Sequence, residues 1–157
     1  MENFKCFDAV VDYNSKILIL GSFPSVKSRK INFYYGNKQN RIWKIFEDFY
    51  SIKIGDSIEN KKAFLLSHHI ALWDIVKCSD LVGSNDIKLE NSNIEVNDVL
   101  SFLKKYPNIK TIYCNGKTAY NLTKKHFPTL NIVYLPSTSP ANVSFKLDPW
   151  INALNNI

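Results

Sequence analysis

Apolar and polar positions along the chain fall into two alternating kinds of block. Residues 17–20 (ILIL) form a short unbroken apolar run with two β-branched residues, which suits a strand buried on both faces. Further apolar runs at 70–76, 109–114 and 132–135 predict three more strands. Between them, apolar residues recur at helical spacing. Asn40 is placed to cap a helix carrying Ile42, Trp43, Ile45, Phe46 and Phe49. A short helix is expected over 61–68, and another over 98–106 that stops at Pro107 and Asn108. A helix over 117–126 carries Ala119, Tyr120 and Leu122, with Phe127 just beyond it, and a terminal helix within 144–157 carries Trp150, Ile151 and Leu154. Phe4, Phe7, Val10 and Val11 read as a lead-in packed beneath the sheet, 51–60 as a polar connection, and 80–93 as a surface loop.

Strands alternating with helices predict an α/β fold of three layers, α/β/α, around a central, mainly parallel four-stranded sheet. The 157 residues suit a single domain, 1–157, with no repeat or linker. Right-handed crossovers bring every strand's carboxyl end to one edge. The polar stretches 21–25, 73–74, 115–116 and 136–142 therefore converge on one rim, where α/β proteins place ligands.

Composition narrows the class. No apolar run approaches membrane-span length, and the first ten residues lack the pattern of a signal peptide. Cys6, Cys78 and Cys114 are odd in number and widely spaced, which argues against a disulfide framework or a thiolate metal site and for a cytoplasmic location. Twenty Lys+Arg against fourteen Asp+Glu give a net charge of +6, which favours polyanionic partners.

Several kinds of chemistry are absent from the rim. GSFPS at 21–25 has no Gly-Lys-Ser/Thr at the spacing of a phosphate loop and is not a nucleophile elbow. His68 and His69 are adjacent, so on a helix they diverge and read as polar helix-end residues. Asp74, at a strand end, is equally suited to catalysis and to capping. What remains is neutral and polar: Ser22, Ser25, Ser28, Asn37, Asn40, Asn115, Ser137, Thr138, Ser139 and Asn142. Hydroxyls and turn amides of this kind bind phosphate, and Tyr34, Tyr35 and Trp43 offer stacking surfaces for a base. Taken one at a time, each of these residues reads more readily as a turn, cap or core residue.

Their joint order is more specific. The chain resembles the uracil-DNA glycosylase superfamily, especially its mismatch-specific uracil and hypoxanthine-DNA glycosylase branches. Four blocks carry the resemblance in family order: Gly21-Ser22-Phe23-Pro24-Ser25 after the first strand; Tyr35, a spacer, then Asn40-Arg41-Ile42-Trp43-Lys44; Gly116-Lys117-Thr118-Ala119-Tyr120; and Leu135 to Asn142 before the final helix. One position departs. Where several branches carry a catalytic Asp or Asn, this chain has Phe23, which cannot hold water. The hypoxanthine branch resembles the chain in this respect and places its essential Asn before Arg-Phe/Ile-Trp, which implies Asn40 as the catalytic residue.

The resemblance implies a monofunctional DNA repair glycosylase that flips a deaminated base, hypoxanthine before uracil, out of double-stranded DNA and hydrolyses its N-glycosidic bond. Asn40 would position water, Tyr35 would stack on the base, and Gly21, Ser22, Phe23, Pro24 and Asn115 would line the base pocket. Ser25, Arg41, Ser137, Ser139, Pro140 and Asn142 would meet the DNA, with Asn142 near the gap left by the base. Lys27, Arg29, Lys30 and Lys38 would add the salt-dependent part of binding. No metal or organic cofactor is implied, no membrane is expected, and a monomer suffices. The alternatives are a non-catalytic binder of DNA or damaged bases on the same fold, and a small-molecule-binding α/β protein unrelated to repair.

Overall fold

The computed structural model describes residues 4–5, 7–79 and 94–157. In chain order its elements are β1 (Phe4–Lys5), β2 (Ile17–Gly21), α1 (Val26–Ile31), α2 (Ile42–Tyr50), α3 (Ile58–Ser67), β3 (Ile70–Asp74), β4 (Val76–Ser79), β5 (Ile94–Val96), α4 (Val99–Lys105), β6 (Thr111–Asn115), α5 (Lys117–His126), β7 (Ile132–Leu135) and α6 (Asp148–Asn155). Four strands form a parallel sheet in the order β3-β2-β6-β7, as expected. β2 is internal and buried along its whole length, which explains its lack of any polar position.

Successive β2 side chains serve opposite layers. Ile17 and Ile19 pack with Ile42 and Phe46 of α2, Phe64 and Leu65 of α3, and Trp150 and Leu154 of α6. Leu18 and Leu20 pack with Val99 and Phe102 of α4 and with Ala119 and Leu122 of α5. Each fully buried aliphatic stabilises by roughly 1.5–3 kcal/mol, so truncating Leu18 to Ala would cost about 2–5 kcal/mol.

Four local expectations shift. The apolar run 70–76 is not one strand: after Asp74 the chain leaves the main sheet, and Val76–Ser79 joins β1 and β5 in a separate antiparallel sheet. The junction is pinned by the N–H groups of Ile75 and Val76, which donate to the carbonyls of Gly21 and Ser22 at 2.8 and 3.0 Å. Second, α1 occupies part of the stretch between β2 and α2 that has no apolar periodicity; Ser25 caps it by accepting the Ser28 N–H at 3.1 Å. Third, α3 begins at Ile58 rather than 61, because Ser57 caps it. Fourth, the terminal helix begins only at Asp148, with a proline in its first turn. Helix α2 has Arg41 rather than Asn40 at its cap position, yet the Asn40 Oδ1 still accepts the Ile42 N–H at 3.0 Å. The lead-in lies beside the sheet rather than beneath it: Val10 exchanges two backbone hydrogen bonds with Leu72 of the edge strand β3, at 2.9 and 3.0 Å, and Phe4 belongs to β1. The loop expected at 80–93 lies outside the described residues. Among the described residues no helix is long and apolar enough to cross a membrane.

Candidate active site

The four strand ends do share one rim, and a cleft of about 150 Å³ opens there. A cavity of that size elsewhere accepts a benzene-sized ring. Its floor comes from the ends of β2, β3 and β6, as Gly21, Asp74 and Asn115. One wall is the turn from Ser22 through Ser25 with Ser28 of α1; the opposite wall is Ser137 through Pro140. Tyr34, Tyr35, Asn37 and Asn40 close the remaining side. Of the thirteen residues expected at the site, all but Arg41 and Asn142 line this cleft.

Gly21 sets the depth of the floor. A Cβ there would sit 2.5 Å from the Asp74 Oδ1 and 3.0 Å from the Tyr35 hydroxyl, so the glycine lets a carboxylate and a phenol approach the same point. Asp74 faces Gly21 in register, and the Asn97 Nδ2 donates to its backbone carbonyl at 2.6 Å. The Tyr35 hydroxyl is held protonated well above the usual phenol range. Burial is the main cause and the nearby Asp74 charge the second; the polar Asn115 amide close by acts in the opposite direction. Tyr35 adopts a left-handed backbone conformation (φ 50°), which costs a tyrosine about 1 kcal/mol or more. The Trp43 Nε1 donates to its carbonyl at 3.1 Å and supports that conformation. Trp43 itself stacks on Phe33 with 19° between the rings and supports the cleft from behind. Tyr34 is buried, and its hydroxyl donates to the Asp8 carbonyl at 2.8 Å, which makes it a support as well.

Asn40 is fixed by the helix it precedes. Its Oδ1 takes the Ile42 N–H, and a carbonyl oxygen retains a second lone pair for water. Phe23, the departure in the first motif, turns its ring into the layer formed by α4 and α5 and is only 6% exposed. Arg29 lies over that ring, 5.9 Å from its centroid. The thiol of Cys114, beside the floor, is buried and pushed up to about 11.

The loop after β7 is held from every side. Asn115 spans it twice, Nδ2 donating to the Thr138 hydroxyl and Oδ1 accepting the Thr138 N–H, each at 3.0 Å. Arg41 donates through Nη1 to the Ser139 carbonyl at 2.7 Å and through its backbone N–H to Thr138 at 3.0 Å. Fully buried Trp150 donates to the Pro136 carbonyl at 2.8 Å. Asn142 folds back onto the Ser137 carbonyl at 3.0 Å. Arg41 and Asn142, expected at the DNA, thus have internal partners, while the next residue, Val143, is 92% exposed. Trp150 gave no sequence signal beyond being an apolar residue of the last helix.

Comparisons with known proteins bear on the family and the fold. The sequence model of the Uracil DNA glycosylase superfamily matches residues 7–156. The chain is 35% identical over 146 residues to a protein named Hypoxanthine DNA glycosylase from Methanosarcina acetivorans, covering 89% of each. It is 34% identical over 116 residues to a protein of the same name from Methanosarcina barkeri, covering 71% of this chain and 70% of that one. Its fold superposes on the solution NMR structure of a uracil DNA glycosylase candidate from Methanosarcina acetivorans with a TM-score of 0.81 and 31% identity, over 99% of this chain and 98% of that one. A strand-end cleft in a three-layer α/β/α fold and a family match along nearly the whole chain lead to one conclusion: the chain belongs to the uracil-DNA glycosylase superfamily.

Proposed function

We propose that the protein is a monofunctional DNA glycosylase that flips hypoxanthine, and less readily uracil, from double-stranded DNA and hydrolyses the N-glycosidic bond to leave an abasic site. The observation that carries this is the meeting of Asn40, Tyr35 and the β2 strand end in one cleft. The names of the two Methanosarcina relatives support the choice of base.

A base enters the cleft only after leaving the duplex, at a cost of a few kcal/mol. Tyr35 stacks on it, and the main chain at Ser22 and Phe23 meets its polar edge. As the C1′–N bond breaks, positive charge grows on the sugar and negative charge on the base; fixed donors stabilise the latter. Asn40 holds the attacking water through the second lone pair of Oδ1. An amide is too weak a base to take a proton at neutral pH, so its contribution is position. Ser25, Ser137 and Ser139 flank the phosphates, and exposed Lys27, Lys30 and Lys38 add salt-dependent attraction. With Asn142 tied back, Val143 is the side chain placed to enter the gap in the stack. The protein works as a monomer in the cytoplasm, where its buried Cys114 remains a thiol.

The test uses labelled duplexes carrying one hypoxanthine, uracil or normal base, with alkali to cut abasic sites. Cleavage at hypoxanthine that is abolished in a folded Asn40→Ala variant supports the assignment. Cleavage at uracil alone overturns the substrate. Tight binding without cleavage on any duplex replaces the enzyme with a damaged-base binder.

A further inference from the structure

The hydrolytic scheme leaves one charged group in the cleft without a task. Asp74 is 4% exposed, ends β3 and lines the cleft with Asn40 and Tyr35. Its position is doubly fixed. The Asn97 amide holds its carbonyl, and the missing Cβ of Gly21 leaves just enough space for its Oδ1. A buried carboxylate costs several kcal/mol of desolvation, which a floor position needing only shape would not retain.

The chemistry of deamination suggests what the carboxylate is for. Adenine presents a bare ring nitrogen, N1, on its pairing edge, and so does cytosine at N3. Conversion to hypoxanthine or uracil turns each of these acceptors into an N–H donor beside a new carbonyl. A carboxylate is acceptor-only, so it welcomes the donor and repels the bare nitrogen. One fixed carboxylate therefore distinguishes both deaminated bases from their parents without measuring ring size.

Resting on the glycosylase reading above, we propose that Asp74 is the specificity-determining residue of the cleft, its carboxylate accepting the ring N–H that deamination creates. Guanine and thymine also carry a ring N–H, so Asp74 does not exclude them; their stable pairing, which raises the cost of flipping, does. Tyr35 bears on the same point: its hydroxyl, held protonated beside Asp74, keeps the neighbouring group from adding a second negative charge.

The test compares the wild-type protein with Asp74→Asn, whose amide can rotate to offer either an acceptor or a donor. Binding is measured on duplexes carrying 2′-fluoro nucleotides of hypoxanthine or adenine, in which the fluorine slows cleavage, each opposite the same base. The ratio of the two dissociation constants should fall by roughly 10- to 100-fold in Asp74→Asn, the range expected for one well-placed pairing contact. The variant should melt no lower than the wild type, since the neutral amide removes the desolvation cost; a purely structural role would lower melting and leave the ratio alone. If the variant does not fold, wild-type protein on N1-methylhypoxanthine, which lacks the N–H, decides the question. A loss of tenfold or more supports the assignment, and full activity overturns it. An unchanged ratio with wild-type cleavage of hypoxanthine overturns the role of Asp74 alone. No wild-type cleavage of hypoxanthine or uracil overturns the glycosylase reading and this proposal with it.

Discussion

The floor of the cleft can be perturbed by a single methyl group. Gly21→Ala would put a Cβ 2.5 Å from the Asp74 Oδ1 and 3.0 Å from the Tyr35 hydroxyl, where ordinary contact begins at 3.4 Å. The first gap must open by roughly 1 Å, and neither neighbour moves easily. Asp74 is tied to Asn97, and Tyr35 is held by Trp43. Overpacking of this kind costs about 1–3 kcal/mol, or roughly 2–12 °C in Tm for a domain of this length. A 1 Å displacement of positioned groups costs on the order of 10²-fold in rate, so the chemistry should suffer more than the fold. Single-turnover cleavage of a hypoxanthine duplex and thermal melting measure the two effects separately. Adding Asp74→Ala to Gly21→Ala should recover most of the lost stability, because it removes the closest clash, and should not recover base selectivity. Wild-type melting and cleavage in Gly21→Ala would refute the reasoning, since they would mean that the carboxylate and phenol are free to retreat.

Four further outcomes follow from the same geometry. Asn40→Asp keeps an acceptor for both the Ile42 N–H and the water, so it should melt like the wild type and retain activity, whereas Asn40→Ala should lose activity about 10²-fold; activity surviving in Asn40→Ala with lowered stability would make Asn40 a cap and nothing more. Asn115→Ala removes both bonds to Thr138 and should cost about 1–3 kcal/mol, together with weaker DNA binding by gel shift as the 137–140 wall loosens. Val143→Ala should reduce cleavage of duplex about tenfold, leave single-stranded substrate unaffected and leave Tm unchanged, because the side chain is exposed. The raised Tyr35 pKa stabilises the fold fully below the unfolded value of 10.0, and this contribution is lost as pH rises above it. Melting should therefore fall as pH rises past 10, less steeply in Tyr35→Phe; Tyr50 and Tyr113, raised by the same cause, add to the slope.

The sheet was legible because its signals are strong and local. An unbroken apolar run can hardly be anything but a central strand, and β2 is buried throughout. The rim was legible for a topological reason: parallel strands deliver their carboxyl ends to one edge whatever the loops contain. Helix α1 was hidden because VKSRKI has no apolar face, and a six-residue helix held by one serine cap leaves almost no periodicity. The break at Asp74 was hidden because IALWDIV reads continuously, whereas the chain changes sheet there through two backbone bonds to Gly21 and Ser22. For the same reason Asp74 looked like a possible cap: its importance lies in a glycine 53 positions earlier in the chain, which only the register brings opposite. Arg41 and Asn142 show a second role that the sequence does not display. Polar residues in a rim motif suggest contact with ligand, and these two also hold carbonyls of the 137–142 loop. A sequence gives donors and acceptors but not their partners.

Phe23 fits this division of labour. With its ring in the core, the loop after β2 contributes backbone but no reactive side chain, so the chemistry must come from elsewhere on the rim. In the proposed scheme Asn40 supplies a neutral hold on water from the start of α2, and Asp74 supplies a charge at the end of β3. Had the carboxylate stood on the water side, it would have favoured attack by drawing off a proton. On the base side, negative charge opposes the charge that the departing base develops, so it lowers the rate while sharpening the choice of base. Such an arrangement suits an enzyme whose targets are rare among a vast excess of normal bases. There, rejecting adenine and cytosine matters more than speed, and fixed neutral groups suffice for bases that flip and leave readily.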